Sequence, residues 1–284
     1  MNTKETAKMP WVITELRGQL FAFNAGSVRE MVIMPEVVAV PGVPEYMRGV
    51  MNLRGHVIPV VDLRRRLGMA SSAEDLAGLC SLMDQRAQDH RHWIDELEAS
   101  VREDRRFMLA TDPHQCAFGK WYDKFQSNNL IVAGFLKRFA APHVRVHALA
   151  LEIEQLVAKG QPEEAHRRIQ DARSAELSEM LQLFQAFPEM IRTAHAEIAV
   201  ALDGANSKYA VCVDSVVGVE RFAEGSIENL EDSGLQKQNG ALTSVAKRSK
   251  GNELVMILAA GSILDARIET SALAAAAQLM PHAA

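Results

Sequence analysis

The 284-residue sequence has no apolar run near the roughly 20 residues that a helix needs to cross a bilayer, so direct membrane insertion is not expected. The opening residues, Met1 to Lys8, lack the apolar core of a secretory signal. Cysteine is scarce. Three of them, an odd number without framework spacing, exclude a disulfide scaffold and suit a reducing cytoplasm. The net charge is only −5, and the single basic run, Arg64 to Arg66, is short. Together these exclude a general nucleic-acid binder and leave the run to be read as a solvated turn.

What is there is an ordinary globular composition, 48% hydrophobic and 24% charged, over a length that suits two domains. From Trp11 to Gly68 the punctuation is that of strands and turns. Short apolar runs at Gln19–Phe23, Val37–Val40 and His56–Val61 predict strands, separated by Gly18, Pro35, Pro41, Gly42, Pro44 and Gly55. Pro59 within the third run predicts an edge or a bulge. Such short strands with frequent turns suggest small barrels or a sandwich. Alternation returns at Glu197–Leu202, with a turn at Asp203-Gly204, and continues through Tyr209–Val219 and Glu253–Leu258. A polar linker is expected from Ser233 to Gly240, and a short Ala-rich helix with a frayed tail from Ala266.

Between these parts, from about Glu74 to Glu197, strand-like alternation disappears and glycine becomes rare. One predicted helix carries a seam of Trp93, Ile94, Leu97, Val101 and Met108, with His90 at its centre and His92 on the opposite side. A second segment aligns Val132, Phe135, Leu136, Phe139, His143, Val146, His147, Ala150, Ile153 and Val157, with Pro142 marking a kink or a fresh start. Asp112-Pro-His predicts a further helix start just before Cys116. A long last helix is expected from Pro162 to about Ala199, bent near Pro188.

A single histidine in an apolar stripe is usually a hydrogen-bonded core residue, and a single cysteine there a small hydrophobe. His90, Cys116, His143 and His147 all point inward, and burying them together without a partner is costly. Three imidazoles and one thiolate are a complete tetrahedral set for zinc. Four protein ligands leave no position for a substrate water, and the segment has no phosphate loop, nucleophile elbow or kinase signature. The expectation is therefore a protein that is not an enzyme. A zinc-dependent hydrolase, with Cys116 unbound and water in its place, is the less favoured alternative. Cys80 and Cys212 have no histidine neighbours and are expected to be structural.

The run Gly49–Gly68, with Val28-Arg-Glu-Met31 and Pro41-Gly-Val-Pro44 before it, closely resembles the CheW family of chemotaxis coupling proteins; Val213-Asp-Ser-Val-Val-Gly-Val219 resembles its second barrel. The resemblance implies a pair of intertwined SH3-like β-barrels linking the cytoplasmic tips of methyl-accepting chemoreceptors to the histidine kinase CheA. It also implies partner contacts at Val28, Glu30, Gly49 and Arg54. The order His90-x-x-Trp93, Cys116-x-x-Gly119-x-Trp121-Tyr122 and Pro142-His143-x-x-x-His147 resembles the chemoreceptor zinc-binding domain, apart from Ile94 where a lysine is usual. That resemblance implies a four-helix bundle holding one zinc, with Cys116 as the sensor of oxidants or of zinc level.

The expected fold is α+β and multidomain, a CheW-like pair of barrels interrupted by the helical zinc-binding insert. The boundaries are 10–73 and 197–275 for the coupling domain, 74–196 for the insert and 276–284 for a flexible tail. The function implied is a bacterial signalling adaptor with a zinc-bound sensory insert. The alternative is a constitutive coupling scaffold whose zinc is purely structural. The helical seams can close within one chain or between two, so a homodimer through the helical domain stays open.

Overall fold

The computed structural model describes residues 9–127, 129–204, 208–223, 225–230, 240–248 and 253–264. The linker expected from Ser233, the helix expected from Ala266 and the expected tail lie outside the described residues, apart from Gly240. Contacts divide the chain into two units, one made of the residues up to Ser72 and from Ala196, the other of Ala73–His195.

In the first unit, β1 (Trp11–Leu16) and β2 (Gln19–Asn24) join through Arg17-Gly18, and β3 (Val28–Ile33) follows. β4 (Met47–Leu53) and β5 (His56–Asp62) join through Arg54-Gly55. All four turn residues have positive φ, 49° and 77° in the first turn and 53° and 86° in the second. A two-residue turn of this kind has the twist that a hairpin requires. Arg54 adopts a left-handed backbone that is unfavourable for any residue with a Cβ, and the Asn52 side chain supports the turn by accepting the Gly55 N–H at 2.8 Å. The short helix α1 (Leu63–Arg66) starts where the Asp62 carboxylate caps the Arg65 N–H at 3.0 Å.

After the helical unit come β6 (Ile198–Asp203), β7 (Lys208–Val213), β8 (Ser215–Glu220), β9 (Ile227–Asn229), β10 (Leu242–Lys247) and β11 (Leu254–Leu258). They form two sheets with the earlier strands, in the orders β8-β1-β2-β11-β10-β9 and β3-β6-β7-β5-β4. Each sheet thus takes strands from both sides of the helical unit. In each, a parallel pairing joins an early strand to a late one: β2 to β11, with Phe21 opposite Met256, and β5 to β7, with Val61 opposite Val211. This corrects the expectation that the helical segment separates one barrel from the other. It enters the chain between β5 and β6, both of which belong to the same sheet.

Other expectations change as well. Val37–Val40 is not a strand, since only Val38 bridges to Val50; prolines at 35 and 41 remove donors on either side. Pro59 pairs with Val50 in β4, while the β5–β7 ladder begins only at Val60, so its missing N–H costs that ladder nothing. The basic run is not a solvated turn. Arg64 is buried against Asp214, Arg65 reaches Glu45, and Arg66 donates to the Ile263 carbonyl at 2.7 Å.

The second unit comprises α2 (Ser72–Arg102), α3 (Ala117–Tyr122), α4 (Leu130–Lys137), α5 (Ala140–Ala158), α6 (Pro162–Ser174) and α7 (Glu176–Ala194). A single core of Trp93, Ile94, Leu97, Phe118, Phe139, Ile153, Ile169, Phe184 and Phe187 with their neighbours closes within one chain. Met108 lies beyond the end of α2 and is 76% exposed, and Val157 is also exposed. Neither belongs to the seam assigned to it. The long final helix is two helices, interrupted at Ala175, where ψ is −91° and the Ser174 hydroxyl donates to the Asp171 carbonyl at 2.9 Å. The second of them ends at Ala194, ahead of β6, and passes through Pro188 without ending there.

Candidate metal centre

Three helices and one turn bring the four expected ligands together. α2 carries His90 and α5 carries His143 and His147 one turn apart; all three rings are almost fully buried. Cys116 arrives differently. The expected helix start at Asp112 is a turn, in which the Asp112 side chain accepts the His114 N–H at 2.9 Å and its carbonyl accepts the Gln115 N–H. The helix begins at Ala117, with Cys116 as its N-cap, and the Gly119 N–H donates to Sγ at 3.2 Å.

Gly119 has no room to be anything else. A Cβ there would lie 1.9 Å from the Pro113 carbonyl oxygen and 3.0 Å from the His114 Cα. Both obstacles are backbone, so Gly119→Ala must push the α3 start away from the turn that positions Cys116. We expect zinc affinity to fall by about 10- to 100-fold, the usual effect of disturbing a ligand's support, in a competition titration against a chromophoric chelator. An unchanged affinity would contradict this role for the glycine.

The Cys116 Sγ lies 3.2 Å from His143 Nε2 and 3.9 Å from His90 Nε2, and one donor atom from each of the four residues lies within 4.8 Å of the others. Zinc bonds of about 2.0–2.3 Å in a tetrahedron set ligand atoms roughly 3.3–3.6 Å apart, so small side-chain adjustments close the site. The outer ring atoms fix the tautomers. His90 Nδ1 faces the Arg86 carbonyl at 2.7 Å and His147 Nδ1 the Ala110 carbonyl at 3.1 Å. A carbonyl only accepts, so each Nδ1 keeps the proton and each Nε2 turns its lone pair inward. His147 Nε2 is then a buried acceptor without a partner. A cation at the centre would satisfy it, which is the fit expected of a metal site.

Electrostatics agree. Burial, with His90 and His147 beside it, holds the His143 pKa down to about 3, and burial with His90 holds that of His147 down to about 4; burial also lowers His90. The imidazoles are neutral ligands at neutral pH. Burial pushes the Cys116 thiol up, although the Gly119 and Phe118 N–H groups oppose it; a bound cation would reverse that balance. A stability prediction follows for the metal-free protein. An unfolded histidine takes a proton near pH 6.5, while the folded ones wait until about pH 3–4, so acid favours the unfolded chain between those values. The thermal midpoint of the chelated protein should hold level from about pH 7.5 down to about 6.5 and drop steadily from there to about pH 4. A level midpoint across that window would contradict it.

Sequence reasoning missed two contributors. The Ala110 carbonyl serves both His147 and the Trp93 indole, which donates to it at 2.7 Å. It is a backbone group and leaves no signature in the sequence. The carbonyl of Arg86, four residues before His90, could have been inferred from helix geometry.

Of the four expected partner-contact residues, Glu30 and Arg54 meet, with Arg54 Nε 2.8 Å from Oε2 and its side chain 78% exposed. Val28 is half-buried at the start of β3. Gly49 is buried; a Cβ there would lie 2.0 Å from the Val38 carbonyl oxygen, so its visible role is to let the chain pass beneath Val38. Cys212 has a clear structural setting. It is buried 3.5 Å from Arg48, which also pairs with Glu197, and burial pushes its thiol up to about 12 in spite of that arginine.

Comparison with known proteins adds two family matches. Residues 10–90 match the CheW-like domain and residues 90–154 the chemoreceptor zinc-binding domain. The chain is 51% identical over 51 residues to a probable chemotaxis protein CheW of Rhizobium etli, a stretch covering 18% of this chain and 33% of that protein. It is 38% identical over 58 residues to the chemotaxis protein CheW of Bacillus subtilis, covering 20% and 37%. The chain thus spans about a third of the length of these curated relatives. Among solved structures, the scaffolding protein TtCheW from Thermoanaerobacter tengcongensis aligns over 90% of this chain and 88% of its own, at 13% identity and a TM-score of 0.43. The chain carries a CheW-like domain followed by a chemoreceptor zinc-binding domain, and zinc is the metal of the second. No helix among the described residues is long and apolar enough to cross a membrane.

Proposed function

We propose that this protein is a chemotaxis adaptor in which a CheW-like coupling domain, 10–73 with 197–275, carries an inserted four-helix zinc-binding domain over 74–196. His90, Cys116, His143 and His147 hold one zinc ion, and the CheW-like part couples chemoreceptors to a CheA-type kinase. The observation that carries this reading is the convergence of those four donor atoms within 4.8 Å, in the segment that matches a zinc-binding domain family and in a chain that also matches CheW.

When bound, zinc would supply a tetrahedral centre that keeps Cys116 as a thiolate. The chain's residues do the rest. The Arg86 and Ala110 carbonyls orient two imidazoles, the Gly119 N–H supports the sulfur, and Phe118, Phe139 and Phe184 exclude water. With Cys116 in contact with His143, the site has four protein donors and no place for a substrate water, which argues against hydrolysis, and the role we assign to it is sensory. Cys116 is the only one of the three cysteines among the donors of this cluster, and we assign to it the response to oxidants. On the coupling side, the exposed Glu30–Arg54 pair is the contact we assign to a partner.

The test is a reconstituted signalling complex of chemoreceptor, CheA and this protein, with kinase activity and released zinc followed together. Mild hypochlorous acid should release zinc from the wild type and change kinase output, while Cys116→Ser should start low in zinc and respond little. Zinc release with constant kinase output would sink the sensory role and leave a structural zinc.

A further inference from the structure

Between the last turns of α2 and α5 and the segment 103–111 that leaves α2 lies a cleft of about 500 Å³, within the range of small-molecule sites. Its floor is apolar. Leu97 and Ile153 are buried there, and Val101, Phe107 and Val157 line it beside them.

The charges around the cleft divide into two kinds. Arg105 is held by Glu96 at 2.9 Å and by Glu103 at 2.6 Å. Asp104, Arg106 and Glu154 also line the cleft, are exposed, and have no ion-pair partner among the described residues. Asp104 carries a further mark. α2 closes with the Arg105 N–H on the Ser100 carbonyl at 3.0 Å and the Asp104 N–H on the Val101 carbonyl at 3.3 Å. In that closing pattern the residue in the place of Asp104 is left-handed and usually glycine. The φ of Asp104 is 48°. Aspartate tolerates this region better than most residues but less well than glycine, so the chain keeps a carboxylate at the cleft at some cost to the backbone.

We propose that this cleft binds a small zwitterion with an apolar body, the chemistry of an apolar α-amino acid. Arg106 receives the carboxylate, Asp104 and Glu154 receive the ammonium, and the apolar side chain lies on Leu97, Val101 and Phe107. Charge complementarity selects this class. A simple apolar acid would leave both carboxylates of the cleft without a partner, and a simple apolar amine would leave Arg106 without one. None of the residues lining the cleft is among the metal donors, so the site depends neither on zinc nor on oxidation.

The test is calorimetric titration of the full chain with L-phenylalanine and L-leucine, beside 3-phenylpropionate and 2-phenylethylamine, each of which lacks one charged group. Both amino acids should bind once per chain. The two analogues should bind about tenfold or more weakly than phenylalanine, the effect of one charge-assisted hydrogen bond. Arg106→Gln should weaken phenylalanine by about tenfold and leave 2-phenylethylamine unchanged. Asp104→Gly should weaken phenylalanine but not 3-phenylpropionate, and should melt no lower than the wild type, because glycine suits that backbone. Val157→Phe, at a position on the cleft wall that is 37% exposed, should block every probe without disturbing the core.

Absence of binding by both amino acids at millimolar concentration would overturn the inference. So would an analogue that binds as tightly as phenylalanine, or amino-acid binding that survives Val157→Phe.

Discussion

Replacing His147 by alanine is expected to leave the protein without zinc and to lower the melting temperature of the helical unit by roughly 15 °C or more. The ring is buried, with its centroid 4.8 Å from His143 and 5.0 Å from Trp93, and its Nε2 is the acceptor that the rest of the unit leaves open. Structural zinc in small domains is worth on the order of 10 kcal/mol of apparent folding energy. The helical unit also has a large apolar core, so its metal-free form should remain folded and only part of that energy should appear as lost stability. A loss of even about 5 kcal/mol lowers the midpoint of a domain of this size by roughly 15 °C or more.

The control is His147→Phe, which fills the space without offering a ligand. It should bind no more zinc than the alanine variant yet melt higher, because its ring fills the cavity that alanine leaves in the core. Zinc content by elemental analysis and melting by calorimetry, with and without chelator, give both quantities. If His147→Ala keeps one zinc per chain, or if chelation leaves the wild-type midpoint unchanged, the assigned ligand set is wrong.

The second large effect is in the coupling unit and involves no metal. Arg64→Met is expected to destabilise it by about 3–5 kcal/mol, the usual cost of stranding one partner of a buried ion pair. Arg64 Nε and Nη2 reach the two carboxylate oxygens of Asp214 at 2.8 and 2.5 Å, with the side chains 8% and 19% exposed. Asp214 also accepts the Arg17 N–H at 2.8 Å, so one carboxylate ties α1, the β1–β2 turn and the β7–β8 corner together. Asp214→Asn should cost a comparable amount. The double variant should cost clearly less than the sum, since no buried charge is then left alone. Denaturant unfolding measures all three. Strict additivity would mean that the pair is not coupled and that Arg64 acts through packing alone.

Asp214 also shows how much could be read in the chain. Val213-Asp-Ser-Val-Val-Gly-Val219 is recognisable as a motif, but what its aspartate does depends on Arg17 and Arg64, some 150 to 200 residues earlier, and no local pattern connects them. The seams of α2 and α5 were legible because helical periodicity is local, and so was the inward direction of His90, His143 and His147. The ends of those seams were not. Met108 and Val157 continue the apolar pattern but fall where α2 has ended or where no neighbour covers α5. The break at Ala175 was equally invisible, since alanine is the best helix former and nothing there announces an interruption.

The sequence by itself determined the types of the donors, three imidazoles and a thiol, and the spacings that put the imidazoles on inward helix faces, between two stretches of short strands; the turn that brings Cys116 in was not legible. Chemistry at that level is set by residue identity and by the period of the helix. Only the tertiary structure decided which strands share a sheet, because pairing β2 with β11 and β5 with β7 brings together residues far apart in the chain and depends on closing long loops. It alone decided which backbone carbonyls face His90 and His147, and that His147 Nε2 is buried without a hydrogen-bond partner. Those contacts belong to the backbone path and to burial, which no single residue encodes.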